Sequence, residues 1–118
     1  MIERTREIPR TEWGTYFDFV SKHLPLEGKR AEIEVAALSL GDQIEAEWVP
    51  IHGIVYDRKD DLFEIAVEGL DHLIYKPVRV WVEEGPDTLK AVEIEDAEGK
   101  THIVKLREPL ALPPTSQG

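Results

Sequence analysis

Apolar residues recur at Trp13, Tyr16, Phe17, Val20 and Leu24, a spacing of i, i+3, i+4, i+7 and i+11 that lines one face of an α-helix. The pattern predicts a helix over 11–24. Thr11 would be its N-cap, Glu12 would face the positive end of the helix dipole, and Pro25 would stop it, since a residue before proline is pushed out of the α region. Aromatic side chains at this spacing seal one side of a core.

After Gly28 the period changes to two. Ile33 and Val35 alternate with Glu32 and Glu34, and Ile44, Ala46 and Trp48 alternate with Glu45 and Glu47, the pattern of half-buried strands on either side of a Gly41-Asp42 turn. Pro50 cannot donate to a ladder and Gly53 tolerates sharp bending, so a bulge or bend is expected between them in one long strand. Arg58 to Asp61 form the next turn. Phe63, Ile65 and Val67 then face away from Glu64 and Glu68, Gly69-Leu70-Asp71 turns again, and a short HLIY segment follows. Val78, Val80 and Val82 make another apolar face, and LKAVEIED pairs with KTHIVKLRE across Ala97-Glu98-Gly99 as the clearest hairpin.

One helix followed by about six or seven short strands at this spacing predicts a mainly β chain with one N-terminal helix, an α+β arrangement. The expected form is a small, strongly bent antiparallel barrel or rolled sheet, Sm-like or SH3-like in topology, ending in a C-terminal hairpin. Residues 1–110 are expected to form a single domain, and the Pro-rich 111–118 a flexible tail.

The net charge of -10 opposes nonspecific binding to nucleic acid or an anionic membrane, because Lys and Arg neutralising phosphates supply most of that affinity. It fits solubility or a basic partner. The chain has no cysteine, so disulfides, thiolate catalysis and cysteine-bound metal are excluded. The charged start MIERTREIPR lacks a secretory apolar core, no apolar run suffices to span a bilayer, and a cytoplasmic location is expected.

Candidate chemistry is sparse. Asp57, Asp60 and Asp61 have the wrong spacing for a calcium loop and read as turn residues. His23, His52, His72 and His102 are scattered with no close pair, which argues against a zinc site, although His52, His72 or His102 could still meet aspartates in the fold. No serine elbow or glycine-rich phosphate loop occurs. No catalytic, cofactor-binding or metal-ligating residue is therefore assigned and no cofactor is expected.

Two surface features stand out. Glu32, Glu34, Glu45 and Glu47 would share an outer face, where like charges need lysine or arginine from a neighbouring strand or a basic partner. Trp81 alternates out of phase with the valines and should lie outward between Arg79 and Glu83, covered by the helix or tail or marking a dimer or partner surface. Asp71-His72 is the other place to look for a site, because a turn explains Asp71 but does not require His72.

The stretch YDRKDDLFEIAVEGLDHLIYKPVRVWVEEGPD, together with REIPRTEW at Arg6 to Trp13, the EDAEGK hairpin and REPLALP, resembles a bacterial domain-of-unknown-function family numbered 5335. The matching segments are Tyr56 to Asp61, Gly69 to Ile74, Pro77, and Val78 to Glu83. The resemblance implies a free-standing cytoplasmic bacterial protein and carries no activity or ligand with it.

The expectation is a non-enzymatic interaction or accessory protein, self-associating through its outer sheet face as a homodimer or meeting a protein partner, with Asp71, His72, Arg79, Trp81 and Glu83 as the candidate interaction face. The alternatives are a metal-dependent or acid/base enzyme using Asp71 and His72, and a nucleic-acid-binding small barrel, which the charge disfavours.

Overall fold

A seventeen-residue strand that changes partners halfway sets the shape of the molecule. The computed structural model describes residues 4–23, 28–37, 41–85 and 88–111. The described strands are β1 (Arg4–Glu7), β2 (Arg30–Ala37), β3 (Gly41–Asp57), β4 (Leu62–Val67), β5 (Leu70–Tyr75), β6 (Pro77–Glu84), β7 (Thr88–Asp96) and β8 (Thr101–Ala111). A 3₁₀ turn at Arg10–Glu12 leads into the helix α1 (Trp13–His23).

The first part of β3 pairs with β2 as far as Pro50, and the rest pairs with β4 from Ile51 onward. Trp48 takes a positive φ of 52°, and the register slips between Ile51 and Gly53. The expected bend is present, and it begins two residues before Pro50 at the left-handed Trp48. Pro50 has no N–H to give there, but its carbonyl accepts the Glu68 N–H at 2.9 Å.

All pairings are antiparallel, in the order β1-β6-β7-β8-β2-β3-β4-β5. The sheet is bent but not closed, with β1 and β5 at its edges. The strand count exceeds the expectation by β1, whose sequence RTRE carries no apolar alternation. β8 runs to Ala111, beyond the expected hairpin, and residues 112–118 of the expected tail lie outside the described residues.

The helix starts at Trp13 rather than at a Thr11 cap, because the 3₁₀ turn occupies 10–12; Leu24 and Pro25 lie outside the described residues. Trp13, Phe17 and Val20 are buried, as the stripe predicts, and Tyr16 is half-buried. Trp13 meets Tyr56 edge-on at 5.2 Å and Phe17 meets Phe63 at 5.3 Å, so α1 packs on the inner face of the bent β3–β4 ribbon. Ser21 Oγ accepts the Ile54 N–H at 3.0 Å and donates to the Ile54 carbonyl at 2.7 Å. One hydroxyl thereby satisfies both backbone groups of Ile54, beyond the point where β2 stops pairing with β3.

The apolar side predicted for early β3 reaches the core only in part: Ala46 packs against it and Ile44 does not. Ile44 is half exposed, because this part of the hairpin extends past the helix that covers the later part. Val78 also departs from the predicted valine face: a register slip between Pro77 and Arg79 turns it outward, while Val80 and Val82 are fully buried.

Candidate functional site

The expected turn at Arg58–Asp61 forms between β3 and β4. Asp57 Oδ1 accepts the backbone N–H groups of Lys59 and Asp60 at 3.0 and 3.2 Å, the local bonding that makes aspartate a turn former. Asp61 takes a positive φ and accepts the Tyr56 hydroxyl at 2.7 Å. Arg10 reaches the same carboxylate and the Pro77 carbonyl, and its guanidinium lies over the Trp13 ring at 4.4 Å. These groups pin the segment before α1 to the turn. Among the described residues no three His, Asp or Glu side chains cluster as metal ligands.

A different arrangement forms where β5 comes up against the β7–β8 hairpin. His72 Nε2 lies 2.9 Å from His102 Nδ1, and His102 Nε2 lies 2.9 Å from Asp96 Oδ2. Asp96 and His102 are buried at 8% and 6% exposure, and His72 is half-buried. Asp96 does further work in the turn, since its Oδ1 accepts the N–H groups of Glu98 and Lys100 at 2.9 and 3.0 Å. Burial would raise its carboxyl, but the bonds from His102 and from those two backbone donors outweigh it and hold the group below the usual carboxylate range. The histidine His72 is held below its ordinary value, first by burial and then by His102, with Glu45 pulling the other way.

An ionised Asp96 accepts the proton on His102 Nε2, which leaves His102 Nδ1 as the acceptor for the Nε2–H of His72. The line orients both rings, ties β5 to the hairpin, and can hold or pass a proton between His72 and the buried carboxylate. Beside it is a groove of about 410 Å³ between Leu73–Lys76 and Asp96–Lys100, with His102 in its lining. No serine belongs to this arrangement among the described residues: Ser21 bonds Ile54 on the helix side, and Ser39 and Ser116 lie outside them.

His72 thus meets His102, which meets an aspartate as reading the chain left open, but the aspartate is Asp96, which that reading did not single out. The hairpin register held the signal: Ile94 pairs with His102, and Asp96 is one same-face step from Ile94. Adjacent strand residues point to opposite faces, so Asp71 lies outward beside Ala66 while His72 turns in beside Ile65. Asp71 and His72 do not act on one another.

Arg79, Trp81 and Glu83 are brought together on the outer face of β6, away from His72. Trp81 is half-buried between Glu7 of β1 and Glu93 of β7, so strand neighbours cover part of it. On the same face Lys105 pairs with Glu32 and reaches Glu34 at 3.7 Å, supplying the neighbouring-strand cation that the acidic stripe required. A hydrogen bond with Asp42 holds the Glu34 carboxyl above its ordinary value.

Among the described residues no helix is long and apolar enough to cross a membrane. No solved structure matches the chain. A protein of Aquifex aeolicus (strain VF5), titled "Uncharacterized protein", is 41% identical over 110 residues, covering 92% of this chain and 97% of that one. The model of the family of unknown function DUF5335 matches residues 4–115, nearly the whole described fold, and the chain belongs to that family.

Proposed function

We propose that the chain is a non-enzymatic interaction protein that associates with a second copy through the β5 edge. The observation that carries the reading is where the exposed large apolar residues fall. Three of the seven among the described residues, Leu70, Leu73 and Tyr75, lie on the six-residue β5, which among those residues has a ladder on one side only. A bare apolar edge is a template for strand addition.

The favoured occupant is a second copy because the strand is self-complementary. With a two-fold axis at Leu73, antiparallel pairing sets Leu73 against its own counterpart and Tyr75 against the partner's Asp71. Lys76 at one end then approaches the acidic Glu68–Asp71 end of the other strand. In this reading the outer face of β6 with Arg79, Trp81 and Glu83 takes no part in the contact, and the protein works in the cytoplasm, where a cysteine-free chain is at home.

Sedimentation velocity on wild type and Leu73→Lys tests the contact. Wild type should dimerise in the micromolar range and Leu73→Lys should sediment as a monomer. Equal behaviour of the two, or a monomeric wild type throughout, overturns it.

A further inference from the structure

Apart from its ladder with β4, the buried Ile74 and the Lys76 N–H bond to the Asp61 carbonyl at 2.9 Å, the β5 segment is hydrogen-bonded to the β7–β8 hairpin at two points among the described residues. The Ala97 N–H bonds the Lys76 carbonyl at 3.0 Å, and His72 bonds His102 at 2.9 Å. The first lies just past the strand and the second lies within it, so the histidine pair is the side-chain hydrogen bond that holds β5 itself to the hairpin, beside the apolar anchor of Ile74.

That tie needs one hydrogen between two ring nitrogens. With both rings neutral, or with one proton added, a donor faces an acceptor and the bond holds. With both rings protonated, His72 Nε2–H and His102 Nδ1–H face one another, two cations in contact with no acceptor between them. The surrounding charges are few. Glu45 on β3 favours the protonated His72, and the other charged groups nearby are Asp96, Glu98 and Lys100 on the hairpin and Lys76 after β5. The residues paired beside the rings, Ile65 on β4, Ile94 on β7 and Val35 on β2, do not titrate.

We propose that the His72–His102–Asp96 line is an acid-sensitive clasp: protonation of both rings frees β5 from the β7–β8 hairpin and thereby switches off the β5 contact. The control of association rests on the reading above; the release of the strand does not.

Hydrogen–deuterium exchange over residues 70–75, corrected for the intrinsic pH dependence of exchange, tests it at pH 7.5 and 4.5. Leu73→Lys is measured alongside wild type, so that the strand is also followed in a chain lacking the contact. Protection of β5 should fall at least tenfold more than that of β7 and β8 on acidification, in both proteins. His72→Gln, whose amide can still donate to His102 but does not titrate, should lose this acid response while keeping its fold. Unchanged β5 protection, or the same acid response in His72→Gln, overturns the clasp. A wild type that never dimerises at either pH overturns the β5 contact alone, and release seen in Leu73→Lys still stands.

Discussion

The two edges of the sheet solve the same problem differently. β1 is four residues long, reads RTRE, and is tied to β6 by the Arg6–Glu84 ion pair at 3.2 Å. Glu84 also accepts the Tyr16 hydroxyl at 2.9 Å, which links that edge to the helix, and burial followed by the Glu84 charge holds the phenol above its ordinary value. Short length and charge are the devices by which natural sheets blunt an edge. β5 is longer, presents Leu73 and Tyr75 to solvent, and is restrained from the hairpin side by a histidine pair. An edge that evolution protects is a boundary, whereas one left apolar and held by titratable groups is suited to contact.

The sharpest way to break this contrast is to remove the carboxylate behind the histidines. Asp96→Ala strands the Glu98 and Lys100 N–H groups as well as His102, and should cost about 3 kcal/mol in urea unfolding. A loss under about 1 kcal/mol would mean that solvent replaces all three bonds. Next in size, Leu73→Lys on β5 should weaken self-association at least tenfold, which corresponds to about 1.4 kcal/mol. At the opposite edge, Arg6→Ala should change stability by no more than about 0.5 kcal/mol, since its guanidinium is largely exposed and solvent screens the pair, and it should leave association unaltered.

The pH dependence of stability separates the edges again. The folded-state value of His72 lies below its unfolded value, so between the two the unfolded chain binds the proton first. The contribution from His72 is therefore complete above about pH 6.5 and is lost as pH falls through the depressed folded value. Asp96, also depressed, adds a second loss further down, beginning below about pH 4. Urea midpoints measured from pH 8 to pH 3 should show both falls in wild type and only the lower one in His72→Gln.

Most of the fold was legible because the period switches cleanly from helical at Trp13–Val20 to two after Gly28, and because Gly99 and Asp57 mark turns by local chemistry. Legibility failed where a register slip intervened. A one-residue slip reverses every following side chain, which is why Val78 lies outward although it alternates with Val80 and Val82. β1 was silent because a polar edge strand has no buried face to leave a pattern. Of the site, His72 stood out as a residue that the turn expected at Gly69–Asp71 did not need; the turn is confined to Glu68 and Gly69, and Asp71 and His72 both lie in β5. Its partner His102, and Asp96 behind it, come from a hairpin more than twenty residues away, joined by the curl of the sheet, and periodicity does not report such a meeting.

The absence of cysteine permits one direct measurement of the central claim, that β5 rather than β1 is the contact edge. Single-cysteine variants Leu73→Cys and Thr5→Cys, mildly oxidised at micromolar concentration and pH 7.5, place one thiol on each edge. The two-fold pairing at Leu73 predicts rapid, near-complete covalent dimer from Leu73→Cys and only slow collisional product from Thr5→Cys. Equal rates from the two edges, or faster cross-linking through β1, would contradict it.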